Sequence, residues 1–264
     1  MSDVIYEVHD GVAILTMNRP QQLNAVNPAM GEALLAASAR AAGDASARAV
    51  IVRSSGNHFM AGGDLQWFRE QTSLDEPMRR ENFVNLLNGV QAAIVNFRRM
   101  DKPVIAVVQG AVAGFGLSLM MAADLVVAAE DAYFTLAYSN IGLSPDGGAS
   151  WSLPRQVGLK QAMEIALLGD RFDARRAFEL GLVNRLVESA QLDDESMKLA
   201  IRLAAGSVGA LARTKALLNQ AFDNSLEDQL AAEQEFFADC ATHPDFVEGL
   251  TAFFERRKPA FGKG

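Results

Sequence analysis

Gly110-Ala111-Val112-Ala113-Gly114-Phe115-Gly116-Leu117-Ser118-Leu119 follows the apolar run Val104–Val108, and Asn57-His58-Phe59-Met60-Ala61-Gly62-Gly63-Asp64 follows the apolar run Ala49–Arg53. Each is a small, glycine-rich turn at the end of a strand-like segment. The first turn of a helix has unpaired N–H donors and the positive end of the dipole, and glycine lets backbone approach a ligand closely. Two such turns aimed at one carbonyl oxygen would stabilise an enolate, each donor worth about 2.7–4 kcal/mol in the transition state. Taken singly, either turn also reads as a tight corner and nothing more.

The 264 residues, half of them hydrophobic, suffice for a sizeable core in one large domain or a domain with an appendage. A formal charge of -8 disfavours nucleic acid and anionic membrane as partners. One cysteine, Cys240, excludes an intramolecular disulfide framework and reads as a buried or half-buried apolar residue. The chain opens without a basic segment followed by an apolar run, and its apolar stretches are too short to span a bilayer, so a cytoplasmic protein is expected. His9, His58 and His243 lack metal-site spacing, and neither a Walker loop nor a dinucleotide fingerprint is present, so no metal or nucleotide cofactor is expected.

Val4–Tyr6 and Val12–Met17 flank His9-Asp10-Gly11, a hairpin signal. Asn27-Pro28 opens a helix over about Ala29–Ala42. Ala49–Arg53, Val104–Val108, Leu125–Ala129 and Tyr133–Leu136 read as strands, and Gly116–Ala123 as a helix. Between Leu65 and Asp101 a polar first part, including Thr72-Ser73-Leu74-Asp75-Glu76-Pro77, is expected as a mobile surface loop that tunes the pocket around Gln71–Met78. A helix follows with Phe83, Leu86, Leu87, Val90, Ile94 and Phe97 on one face. Strand pairs alternating with helices, three times over, predict an α/β architecture of stacked turns. From about Ala190 the strands stop, and four amphipathic helices follow.

Ala61-Gly62-Gly63-Asp64-Leu65, Lys102-Pro103-Val104-Ile105-Ala106-Val107-Val108-Gln109-Gly110, Ala122-Ala123-Asp124 and Ile141-Gly142-Leu143 to Gly148 stand in the order and spacing of a known family. With Asn18-Arg19-Pro20, Leu23-Asn24-Ala25, Leu153-Pro154-Arg155, Ala177 to Val183 and Glu248 to Phe253, the chain resembles the enoyl-CoA hydratase/isomerase (crotonase) superfamily nearly end to end. The resemblance implies a crotonase-type ββα spiral core over residues 1–190, with the active site, and a C-terminal helical trimerisation region over 191–264. It implies a homotrimer, often doubled to a hexamer. The substrate it implies is an acyl-CoA thioester, coenzyme A being part of the substrate rather than a separate cofactor.

For the site, the resemblance implies oxyanion donors at the backbone N–H of Ala61 and of Phe115. Hydratases of the family use two glutamates, whose positions here carry Ser118 and Tyr138, so the two-glutamate mechanism is not expected. Asp146, in Leu143-Ser144-Pro145-Asp146-Gly147-Gly148, reads as a helix cap in a favourable turn. The resemblance instead implies the catalytic base of the isomerase branch, which includes the phenylacetate-degradation isomerase. The expected reaction is transfer of the double bond of a 3-enoyl-CoA to the 2-enoyl position. A hydratase using Asp146, and a non-catalytic acyl-CoA-binding paralogue, are the alternatives.

Leu136, Leu143, Phe115 and Trp151 are expected as apolar walls. Leu23 and Ala25 are implied near the adenine, and the Ala61-Gly62-Gly63-Asp64 turn near the pantetheine; Gly114 and Leu143 are further candidate substrate contacts. Ser118 and Tyr138 are candidate substrate contacts, and Arg256-Arg257-Lys258 could meet the phosphates. Asp64 reads otherwise as the cap of a helix opening at Leu65, and Asp124 as structural.

Overall fold

The computed structural model describes residues 2–262. Its elements run β1 (Val4–His9), β2 (Val12–Met17), α1 (Pro28–Gly43), β3 (Ala49–Ser54), α2 (Leu65–Gln71), α3 (Glu76–Arg99), β4 (Val104–Val108), β5 (Ala111–Ala113) and α4 (Phe115–Ala122). They continue with β6 (Leu125–Ala129), β7 (Tyr133–Thr135), α5 (Ala149–Val157), α6 (Leu159–Leu168), β8 (Phe172–Asp173), α7 (Ala174–Glu179) and β9 (Arg185–Val187). Four helices close the chain: α8 (Leu192–Ala204), α9 (Val208–Gln220), α10 (Leu226–Thr242) and α11 (Pro244–Phe254). No helix among the described residues is long and apolar enough to cross a membrane.

The large sheet has the order β1-β2-β3-β4-β6-β9, parallel throughout except for the antiparallel β1–β2 hairpin. Strands β2 and β4 are buried at every position, as parallel strands covered on both faces must be. Alternation divides them. Leu15, Val50, Val52, Ala106 and Val126 face a core shared with Met30 and Leu34 of α1 and Val90 and Phe97 of α3. Ile14, Ile51, Ile105 and Val127 face Leu192, Leu199 and Ala204 of α8. The first helix past residue 190 is therefore a layer of the core, with α9 to α11 beyond it.

A second, narrow layer runs beside the large sheet. Val26 bridges Gly63, Met60 bridges Val112, β5 pairs in parallel with β7, and β7 pairs with β8. The chain makes four passes of strand, short second-layer segment and helix, where the pattern of the sequence predicts three. The additional pass is invisible to periodicity because its second-layer segments pair through single residues, Val26 and Gly63.

The expected loop from Leu65 is also corrected. Asp64 accepts N–H bonds from Gln66 and Trp67 and opens α2; Asp75 accepts from Met78 and opens α3, with Pro77 in its first turn. Only residues 72–75 connect the two helices. The anchors are aromatic: Phe83 of α3 meets the Trp67 ring edge-on at 5.3 Å and the Phe68 ring at 4.9 Å between centroids.

The C-terminal helices are pinned to the core by a buried ion pair. Lys215 of α9 reaches Asp124 at 2.8 Å and donates to the carbonyls of Phe97 and Lys102, while Asp124 accepts the Val104 N–H at 2.8 Å. Burial pushes the Asp124 carboxyl up and the Lys215 ammonium down from their ordinary values, against the attraction between them. Removing one partner strands a buried charge. Asp124→Ala is expected to cost about 3–5 kcal/mol in urea or thermal unfolding, and a loss below about 1 kcal/mol would refute the pair's structural role.

Candidate active site

Successive passes leave the second layer at the same edge, so residues 61–63, Gly114-Phe115 and Leu136-Ala137-Tyr138 are stacked next to one another. The contact between the two glycine-rich turns is close. A methyl group on Gly116 would lie 2.9 Å from the Met60 Cβ and closer still to the Met60 carbonyl oxygen, so no side chain fits there.

This stacking decides which N–H groups are free. The Ala61 N–H donates to the Leu23 carbonyl at 3.0 Å, so Ala61 is not the oxyanion donor that the sequence implied. Val26 pairs with the Gly62 carbonyl and the Asp64 N–H, both at 2.8 Å, which leaves the N–H of Gly63 outside the ladder. Among the described residues that N–H has no partner. Neither does the N–H of Phe115, the first residue of α4, since Gly114 before it is the one that donates to Thr135. Gly63 and Phe115 both line the same cavity.

That cavity measures about 430 Å³. Ala61, Gly62, Gly63, Gly114 and Phe115 form one side of it; Leu136, Tyr138, Leu143 and Asp146 another. The remaining wall comes from Leu65 and Phe68 of α2 and from Phe83, Leu86, Leu87 and Val90 of α3. The sequence presented the Phe83–Val90 stripe as one apolar helix face, but not that part of this face borders a cavity. The expected loop at Gln71–Met78 does not reach it, and neither does Trp151. That ring lies on the outer side of α5, under the guanidinium of Arg155 at 4.1 Å.

Asp146 does not act as a helix cap. Gly148 holds the N-cap position of α5 without any side-chain bond, and only the backbone carbonyl of Asp146 serves the turn, accepting from Ala149 and from the Ser118 hydroxyl at 2.9 Å. The carboxylate turns into the cavity, where Tyr138 donates its hydroxyl proton to Oδ1. Burial pushes the Asp146 carboxyl above the ordinary carboxylate range, and the Tyr138 hydrogen bond partly offsets this. Gly147 must be a glycine: its φ is +56°, and a Cβ would lie 2.8 Å from both the Phe115 ring and the Ser118 Cβ.

Four expected substrate contacts are not on the cavity wall. Ser118 is 1% exposed and lies beneath the Asp146 loop. Asp64 is occupied by its capping bonds and by Arg19 at 3.1 Å. Leu23 is exposed beside the Ala61 turn, and the Ala25 carbonyl accepts from Arg19 at 2.7 Å. Of the C-terminal basic residues, Arg257 is held by Glu248 and Glu255.

Residues 7–264 match the model of the enoyl-CoA hydratase/isomerase family. The chain is 38% identical to a probable enoyl-CoA hydratase of Rhodobacter capsulatus over 97% of its own length and 96% of the relative's. It is 34% identical to the 1,2-epoxyphenylacetyl-CoA isomerase of Escherichia coli, over 99% and 98%. The crystal structure of an enoyl-CoA hydratase from Polaromonas sp. JS666 superposes with a TM-score of 0.92 at 36% identity, covering 98% of this chain and 99% of that one. In sequence, in fold and in the convergence of two glycine-rich turns on one cavity, the chain belongs to the enoyl-CoA hydratase/isomerase family of acyl-CoA enzymes.

Proposed function

We propose that this enzyme moves the double bond of a 3-enoyl-CoA into conjugation, giving the 2-enoyl-CoA, with Asp146 as the single base. One observation carries the reading: among the described residues lining the cavity, Asp146 is the only carboxylate, and it sits in a largely apolar wall. The C2 proton of a 3-enoyl thioester is acidified by the carbonyl on one side and the double bond on the other. Asp146 removes it, and the electron pair moves into the carbonyl to give a dienolate. The dienolate oxygen accepts from the N–H groups of Gly63 and Phe115. The pair then returns, C4 takes the proton back from Asp146, and the carboxylate ends as it began. The step balances without a cofactor or a water molecule.

Hydration by two carboxylates needs a water held between them, and the residues at those positions are Ser118 and Tyr138. The raised pKa of Asp146 brings the base closer to the carbon acid, which favours proton transfer. Leu23 and Ala25, beside the Ala61 turn, are our candidates for the coenzyme A contact. Hydration of a 2-enoyl-CoA is the second reading, favoured by the name of the Rhodobacter capsulatus relative.

Asp146→Asn is expected to lower conversion of a 3-enoyl-CoA, followed by the absorbance of the conjugated thioester, by about 100-fold or more. Hydration of 2-enoyl-CoA is assayed in parallel. Robust hydration, with the variant still able to isomerise, would overturn the single-base reading, and tight thioester binding without turnover by the wild type would point to a binding protein.

The base must be ionised, and its pKa is raised, so kcat/KM is expected to fall on the acidic side at a pH above the ordinary aspartate range. A profile flat down to pH of about 4 would contradict that assignment.

The functional form we propose is a homotrimer or hexamer. Supporting it, Phe222, Phe237, Phe253 and Phe254 on or beside α9 to α11 are each more than two-thirds exposed, an apolar surface that a second copy would cover. Light scattering is expected to give three or six times the 28.4 kDa chain mass, and a monomer at micromolar concentration would refute it.

A further inference from the structure

Tyr138 was expected as a substrate contact, but its one hydroxyl proton is already used. A tyrosine hydroxyl donates once, and here it donates to Asp146 Oδ1. Ser118 lies 3.4 Å from the same hydroxyl, but its own proton goes to the Asp146 backbone carbonyl. With both protons spent on Asp146, neither hydroxyl has one to give a thioester.

The backbone at Tyr138 is bent to achieve this. Ala137 has a φ of +39°, in the left-handed region that side chains other than those of glycine, asparagine and aspartate seldom adopt, and the Tyr138 N–H closes a tight turn on the Leu136 carbonyl at 2.6 Å. Strain of this kind, held by surrounding structure, collects at functional sites. The turn stacks beside Gly114, whose missing side chain leaves the Tyr138 ring 3.9 Å from where a Cβ would be.

Resting on the reading of Asp146 as the base, we propose that Tyr138 is its positioning residue: the phenol clamps one carboxylate oxygen, leaves the other for the substrate, and sustains a charged base in an apolar cavity. Tyr138 and Asp146 are the only titratable side chains on the cavity wall among the described residues, so no third ionisable side chain there acts on the pair. Burial pushes the Tyr138 phenol far above its ordinary value, and the neighbouring carboxylate pushes it further, so the phenol keeps the proton it donates. The same pairing gives the ring a role that needs no contact with the acyl group.

The test is Tyr138→Phe, which keeps the ring and removes the proton donor. The Asp146 carboxyl is titrated directly by difference infrared spectroscopy, its band identified by its absence in Asp146→Asn. In Tyr138→Phe it is expected to titrate about one to two units higher, the scale of one hydrogen bond to a charged group. The acidic limb of kcat/KM for 3-enoyl-CoA should move in the same direction, with KM little changed.

Incorporation of fluorotyrosine at the chain's three tyrosines is the second arm. A more acidic phenol is a stronger donor, so the carboxyl should titrate lower. A carboxyl titration unmoved in both arms, or a change confined to KM, overturns the proposal and returns Tyr138 to substrate contact. If the infrared shifts occur in an enzyme that does not isomerise 3-enoyl-CoA, the clamp stands and the functional reading falls.

Discussion

The parallel pairing of the second layer is the constraint on which the site depends. Met60 must pair with Val112 and β5 with β7 for the chain to leave three successive passes at one edge. Single-residue bridges are weak, and side chains reinforce them. Asn24, wholly buried, donates to the carbonyls of Ser55 and His58 and accepts the Arg19 N–H, tying the first pass to the second. His58 Nδ1 accepts the Ala111 N–H at 3.1 Å, tying the second to the third. Without these bonds two flexible glycine turns would have no reason to stop at the same point.

Much of this fold is legible in the sequence, and the parts that are not share a cause. Val104–Val108 and Leu125–Ala129 are recognisable as strands to the residue because a parallel strand buried on both faces is a continuous apolar run. Helix α2 is legible only at its start, where Asp64 reads as a cap; the burial of its aromatic residues depends on Phe83, far along the chain, so the stretch after it reads as a loop. The same holds for the donors. Ala61 and Gly63 are two residues apart in one small-residue turn, and nothing local says which N–H is spent. Pairing with residues 23–26, more than thirty positions upstream, decides it.

Asp64 and Asp146 make the point for side chains. Both are aspartates next to glycine-rich turns, and both read as caps. Asp64 is one: its oxygens are used by two backbone N–H groups and by Arg19. Asp146 is not, because Gly148 holds the cap position and the loop is tied down through the Asp146 backbone carbonyl, leaving the carboxylate to the cavity. An aspartate with a structural explanation and one without it look alike in sequence and differ in which backbone N–H groups their carboxylates meet.

The division between backbone and side chain also explains which positions this site can vary. An oxyanion donor is a peptide N–H, and any residue but proline supplies it, so in the proposed role Phe115 can stand where its side chain also walls the cavity. A base is a side chain, and its usefulness depends on the polar groups around it. Ser118 and Tyr138 stand where the resemblance implies the carboxylates of hydratases, and both direct their protons at Asp146. On the proposed reading the fold keeps the electrostatic half of the chemistry in the backbone, while the choice between moving a proton and adding a water rests on a few side chains. Tyr138 is bonded to Asp146, the one carboxylate on the cavity wall among the described residues, and on the proposed reading it stands where that choice is made.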